Sequence, residues 1–122
     1  IGVNILIKMI KYFEFETTQF DFELIQHIKR LRIKENFSQE VLSLKMGLAK
    51  SFIGNVENYR EKHKYSTRHI TLLAKAFGYK SIGELLNFST PKYDRIKVTI
   101  QQTYNESGTK VLKSEVMKIE AI

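Results

Sequence analysis

Few side chains in this sequence have the type and spacing that catalysis or metal binding needs. The three histidines, His27, His63 and His69, have no metal-type spacing with acidic residues. No Ser-His-Asp or paired-carboxylate arrangement stands out, and the lack of cysteine excludes disulfides, zinc-thiolate sites and cysteine nucleophiles. We therefore expect no enzyme activity, no metal site and no cofactor.

The composition favours binding of a polyanion instead. The 122 residues include 20 Lys and Arg against 13 Asp and Glu, for a net charge of +7. Residues 1–21 carry two basic and three acidic residues (−1), residues 22–90 carry twelve and six (+6), and residues 91–122 carry six and four (+2). The basic surplus lies in the middle segment, which indicates a partner such as nucleic acid.

Composition also bounds the class of protein. An apolar fraction of 43% is ordinary for a globular chain. No apolar stretch reaches the ~18 residues of a membrane span, and no cleavage site follows the N-terminal apolar run. We expect a cytoplasmic protein with no membrane contact, held together without disulfides.

The pattern divides the chain into three segments: 1–21 as an N-terminal arm, 22–90 as a helical domain and 91–122 as a β-hairpin. Pro91 marks the change from helical to alternating periodicity. Within the arm, Met9 is a candidate natural start that would make residues 1–8 non-native. The alternative is an extended arm that packs on the domain or on a partner.

Apolar residues at helical spacing predict five helices in the middle segment. The signals that begin and end them are Asp21, Ser38 and Ser66 as caps, Gly47 and Gly78 as stops, and a Ser81–Glu84 capping box. The expected ranges are 22–34, 39–45, 50–58, about 67–77 and about 82–86. The side chains expected inside are Leu24, Ile28, Leu31, Val41, Leu42, Met46, Ile53, Val56, Ile70, Leu73, Ala74 and Phe77.

The second and third helices are joined by a tight turn that contains Gly47. Such a turn lets the third helix cross the second steeply, which is the geometric requirement of a helix-turn-helix. In that motif the second of the two helices enters the DNA major groove.

These residues resemble the Cro/CI-type (XRE-type) helix-turn-helix regulators. The resemblance rests on Ser38-Gln39-Glu40, Gly47-Leu48, Ile53 and Glu57, and it continues through residues 73–77 and 81–86. It covers residues 24–86, and it implies a mainly α, five-helix, lambda-repressor-like domain that binds double-stranded DNA.

The resemblance implies base contacts by Lys50, Ser51 and Asn55, the exposed positions of the recognition helix. Lysine can donate to guanine O6 and N7, asparagine can bond adenine N6 and N7, and serine can bond a base or a phosphate. The competing interpretations are a solvated lysine, a helix-capping serine and a polar surface asparagine.

The resemblance also implies contacts with the DNA backbone. Gln39 matches a glutamine that binds a phosphate and supports the recognition helix, while Asn58 and Arg60 match positions near the backbone. The basic loop from Tyr59 to Lys64 adds Lys62 and Lys64, although it is alternatively only a soluble charged loop. Arg32 and Glu57 match a structural ion pair between the first and third helices.

Three positions depart from the family pattern. Ala49 stands where a capping Ser or Thr is common, at a cost of about 1 kcal/mol. Gly54 lies within the recognition helix, where glycine costs ~1 kcal/mol against alanine. It either permits close approach to DNA or to the second helix, or is only a tolerated local weakness. Tyr59 stands where glycine is frequent.

The last segment alternates apolar and polar residues from Arg95 to Tyr104, turns at residues 105–108, and returns over 109–119. This predicts a β-hairpin. Because an isolated hairpin is marginal in water, it must pack on the helices, pair with another protomer or receive a strand from the N-terminal arm. We expect a homodimer through the hairpin, with a cover for the intrachain core as the alternative.

The sequence therefore predicts a sequence-specific DNA-binding transcriptional regulator, and a repressor in particular. One alternative is an antitoxin that binds a partner toxin and represses its own operon. The other is a helix-turn-helix module that docks proteins rather than DNA.

Overall fold

Five helices and three strands make up the protein in a computed structural model that describes residues 9–122. The elements are β1 (Ile10–Thr18), α1 (Gln19–Lys34), α2 (Gln39–Lys45), α3 (Phe52–Glu57), α4 (Thr67–Ala76), α5 (Ile82–Leu85), β2 (Arg95–Tyr104) and β3 (Val111–Ala121). They form two compact units, a helical unit of Gln19–Lys92 and a sheet unit of residues 9–18 with Tyr93–Ile122. The two interpretations of residues 1–8 lie outside the described residues.

Short local signals set the limits of most helices. The Ser38, Ser66 and Ser81 hydroxyls accept hydrogen bonds from the third backbone N–H of α2, α4 and α5. Gly47 and Gly78 follow α2 and α4 with φ of 75° and 76°, in the left-handed region that glycine adopts without strain. In the last turn of α2, the Ser43 carbonyl accepts a hydrogen bond from the Leu48 N–H. In the last turn of α4, the Ala74 carbonyl accepts one from the Tyr79 N–H.

The helical unit has a core drawn from all five helices. Its fully buried side chains are apolar residues that recur at helical spacing, and half-buried aromatic residues surround them. The most deeply buried members are Ile28, Leu42, Ile53, Leu73 and Leu85, each 0% exposed. This core fixes α2 and α3 against each other.

Two expectations about the helices are wrong. Val41 was expected inside but is 41% exposed, because the inward phase of α2 runs through Leu42, Ser43 and Met46. The first helix begins at Gln19 instead of Phe22, so Asp21 lies in its first turn rather than capping it. An acidic residue there still favours the helix dipole.

The fold class also needs correction. Of the described residues, 38% are helical and 26% lie in strands, so "mainly α" understates the sheet. The C-terminal hairpin forms from β2 and β3. In addition, β1 from the N-terminal segment pairs antiparallel with β2, so the strand order is β1-β2-β3. Of the ways to complete a hairpin, the structure therefore shows a strand contributed by the N-terminal arm.

The sheet has one apolar and one charged face. Ile96, Val98 and Ile100 of β2 are 0% exposed and share a face with Phe13 and Phe15 of β1. On the other face, Lys97 lies 3.7 Å from Glu14 of β1 and 3.5 Å from Glu120 of β3. Alternation along β2 thus separates the two faces as the sequence predicts.

Candidate nucleic-acid interface

The recognition helix is shorter than the sequence suggested. It was expected over residues 50–58, but α3 spans Phe52–Glu57, and Lys50 and Ser51 lie in the turn before it. Ser51 occupies the N-cap position with an α-region backbone, and its side chain makes no capping hydrogen bond. The alternative of a capping role for Ser51 is therefore wrong.

A buried serine on α2 takes the place of the missing cap. Ser43 is 0% exposed; its hydroxyl donates to the Gln39 carbonyl at 2.8 Å and accepts from the Ile53 N–H at 3.0 Å. The Ile53 N–H is in the first turn of α3, where backbone donors have no partner within the helix. Ser43 thus supplies from the neighbouring helix the bond that the Ser51 side chain does not make.

Sequence reasoning missed Ser43, although a signal was present. It is four residues after Gln39 and one after Leu42, in the phase that faces the core. A polar residue at an inward position needs a partner, since burying an unpaired hydroxyl is costly. That rule would have identified it.

The far end of α3 is held by a buried carboxylate. Glu57 is 7% exposed and accepts two hydrogen bonds from Arg32 of α1, Nε to Oε2 and Nη2 to Oε1, both at 2.8 Å. Arg32 also donates to the Phe37 carbonyl at 2.9 Å. This two-point pairing fixes the direction of α3 relative to α1.

Gln39 completes this network from the start of α2. Its amide nitrogen donates to Glu57 Oε1 at 3.0 Å, while the residue as a whole remains exposed. A Cβ added at Gly54 would lie 3.2 Å from Gln39 Oε1. This contact favours close approach to the second helix over the other two interpretations of Gly54.

The three side chains expected to contact bases all face solvent. Lys50, Ser51 and Asn55 are exposed, whereas Ile53 and Val56 of the same helix are buried. Asn55 lies one helical turn after Ser51, and its N–H donates to the Ser51 carbonyl at 3.0 Å. Within residues 9–122, none of the three side chains has a hydrogen-bond or ion-pair partner in the protein.

The residues expected near phosphates lie in the segment after α3. Asn58 ends the helix, and its Oδ1 accepts from the Arg60 N–H at 3.0 Å, which forms a tight turn. Arg60 and Lys62 are exposed. Lys64 is also exposed, and its ammonium lies 3.5 Å from Asp21 in the first turn of α1.

Aromatic packing fixes the side of α3 next to this loop. The Phe52 ring lies 4.5 Å from the His69 ring and 6.2 Å from the Tyr65 ring, centroid to centroid. These ring contacts leave Phe52 half-buried. Tyr59 is half-buried too, and its hydroxyl bonds Gln26 of α1.

Tyr65 and His69 have shifted proton affinities for local reasons. Burial, reinforced by the Glu57 carboxylate, raises the pKa of Tyr65 far above its ordinary value. Partial burial and the nearby Arg68 lower the pKa of His69. The Ser66 N–H donates to His69 Nδ1 at 2.9 Å, which requires that nitrogen to be unprotonated.

The sequence of this helical unit matches a known family model. Residues 28–85 match the HTH_3 family model, described as "Helix-turn-helix". Over these residues, a little less than half of the chain, the sequence is similar to the XRE-type helix-turn-helix family. The match includes Arg32, Gln39, Ser43 and Glu57, so the whole supporting network lies inside the helix-turn-helix domain.

Other comparisons are sparser. No curated protein sequence matches the chain. Among solved structures, it is similar to the "master regulator for biofilm formation SinR in complex with DNA", with 25% identity and a TM-score of 0.43. That likeness covers 52% of this chain and 98% of the other.

Two other kinds of site are absent from the described part of the protein. Between residues 9 and 122, no group of three His, Cys, Asp or Glu side chains is placed to hold a metal ion. No helix there is long and apolar enough to cross a membrane.

Proposed function

We propose that the chain is a transcriptional regulator that binds a specific double-stranded DNA sequence through its helix-turn-helix domain. The observation that carries this proposal is the contrast between the two sides of α3. Its inward side is fixed by Ser43, Arg32 and Gln39. Asn55 on its outward side, and Lys50 in the turn just before it, are exposed and have no partner among residues 9–122. A rigid helix with unpaired donors is suited to reading base edges.

Lys50 and Asn55 are proposed to contact bases, with Ser51 contacting a base or a phosphate. Lys50 donates to guanine and Asn55 forms a two-point contact with adenine. Lys50 lies just before α3 and Asn55 within it. In helix-turn-helix complexes the N-terminal residues of the recognition helix contact base edges.

Gln39, Asn58, Arg60, Lys62 and Lys64 are proposed to contact phosphates. Such contacts position a protein on DNA without reading sequence, and they make affinity depend on salt. Lys64 would exchange its 3.5 Å contact with Asp21 for a phosphate; at 67% exposure this ion pair is weak. The net charge of +6 on residues 22–90 favours binding to phosphates.

The test is selection of bound duplexes from random DNA with the full chain, followed by titration of the selected duplex at fixed salt. We expect Lys50→Ala with Asn55→Ala to weaken specific binding by about 30- to 20,000-fold, because two good base contacts at ~1–3 kcal/mol each sum to ~2–6 kcal/mol. Binding to an unrelated duplex should change much less. Reporter expression from the selected site then tests for repression.

A matched control is Lys80→Ala with Asn87→Ala. It removes the same two residue types from exposed positions of the same unit, outside the predicted contacts. Equal losses from both double variants, or no loss from the first, would overturn the assignment of base contacts to Lys50 and Asn55.

A further inference from the structure

Strand β3 is an exposed edge of the sheet. In the described part of the chain it pairs only with β2, so the other side of this 11-residue strand has free backbone groups. It also carries five exposed large apolar residues, from 37% to 52% exposed: Val111, Leu112, Val116, Met117 and Ile119. A long apolar edge of this kind pairs with other strands unless something protects it.

The charges of β3 follow a pattern around an irregularity in the strand. The β2–β3 register shifts between Thr99 and Ile100, where Met117 has no partner on β2. Because of this extra residue, Lys113 and Glu115 before it share a face with Lys118 and Glu120 after it. Without it, the two groups would lie on opposite faces.

We propose that β3 pairs antiparallel with β3 of a second copy of this chain, about a two-fold axis between Val116 and Met117. Lys113 then lies opposite Glu120 of the second copy, and Glu115 opposite Lys118 of the second copy. Symmetry repeats both pairs, so all four charges of each strand have an opposite charge across the interface. The result is a continuous six-stranded sheet.

This register is favoured over its neighbours. A shift of two residues one way places Lys113 opposite Lys118, and a shift the other way places Glu115 opposite Glu120. A shift of one residue places charged-face residues opposite apolar-face residues. Like charges directly opposite each other are destabilising, so only the proposed register satisfies both faces.

Lysines on an edge strand also act alone as protection against pairing. Protection needs only one sign of charge, whereas β3 carries two Lys and two Glu in an order that complements itself when reversed. Self-complementarity is the requirement of a two-fold interface, in which the same patch meets itself. Assembly through β3 does not depend on DNA binding.

The test uses the full chain and two double variants with unchanged net charge. Variant one is Lys113→Glu with Glu115→Lys, and variant two is Lys118→Glu with Glu120→Lys. Each exchanges the signs of an ion pair that already exists within the strand. Variant two also removes the contact between Glu120 and Lys97 of β2, so variant one is the cleaner test of self-association. Each also turns every cross-strand pair of its own homodimer into a like-charge pair.

Light scattering and sedimentation measure the outcome. We expect the wild type to have twice the 14.3 kDa chain mass and each variant alone to self-associate at least about tenfold more weakly. We expect an equal mixture of the two variants to regain the wild-type mass, since every cross-strand pair is again Lys opposite Glu. A monomeric wild type, variants that associate as the wild type does, or a mixture that stays monomeric would each overturn the proposal.

Discussion

The Ser43 hydroxyl illustrates how one small polar group positions the recognition helix. It is the buried acceptor for the Ile53 N–H and the donor to the Gln39 carbonyl. Removing it leaves a buried backbone donor without a partner, which costs ~1–3 kcal/mol. We expect Ser43→Ala to lower the free energy of unfolding by this amount in urea titrations, whereas Ser51→Ala, at the uncapped exposed position, changes it by less than about 0.5 kcal/mol.

The Glu57 carboxylate has a larger expected effect, because its removal strands a buried charge. Glu57→Gln leaves the Arg32 guanidinium, 11% exposed, without its anionic partner. Breaking a buried pair in this way costs about 3–5 kcal/mol. Glu61→Gln is the matched control, since Glu61 is 49% exposed and lies 3.7 Å from His63, and an effect as small as the control's would contradict a structural role for the pair.

The Tyr65 hydroxyl is the opposite case. It is buried and has no hydrogen-bond partner among the residues described. Removing an unsatisfied buried polar group is nearly neutral or stabilising when the shape is kept. We therefore expect Tyr65→Phe to leave the urea midpoint unchanged or to raise it, and a clear decrease would reveal a partner for this hydroxyl.

At the scale of elements, the start of α4 is sensitive to pH. His69 closes a capping box with Ser66, and its Nδ1 accepts the Ser66 N–H only when it is unprotonated. The lowered pKa of His69 means that the unfolded chain, with an ordinary pKa near 6.5, takes up the proton first. The free energy of unfolding is therefore expected to fall as pH decreases through 6.5 towards the folded pKa. Well above pH 6.5, His69 should not affect it.

Glutamine at the same position separates this effect from other titrations. In a capping box, Gln bonds the cap backbone as His69 does here, but it carries no proton in this range. Thermal unfolding from pH 7.5 to 5 should show a smaller loss of stability for His69→Gln than for the wild type. Parallel curves for the two proteins would exclude His69 as the cause.

At the scale of the whole molecule, the basic charge should set the salt dependence of DNA binding. Each Lys or Arg that neutralises a phosphate adds about 0.9 to the slope of log affinity against log salt. We expect Lys62→Ala to reduce that slope by about one on specific and unrelated duplexes alike. Lys80→Ala, outside the predicted contacts, should leave it unchanged, and equal slopes for all three proteins would remove Lys62 from the phosphate contacts.

The sequence by itself determined those parts of the fold that depend on neighbouring residues. Ser38, Ser66 and Ser81 begin helices, Gly47 and Gly78 follow their ends, and alternation gives β2 two faces. Caps and periodicity act within a few residues, so they are visible in the chain itself. The family resemblance added the positions of the helix-turn-helix.

Only the tertiary structure decided how distant segments pair. β1 joins β2 across more than 75 residues of chain, and the sequence offered a strand from the N-terminal arm only as one of three ways to complete the hairpin. Ser43 reaches Ile53 only once α2 and α3 are packed, and that packing also determined which side of α2 faces inward and left Val41 outside. These choices depend on burial and hydrogen bonding between elements, for which a local pattern contains no distance information.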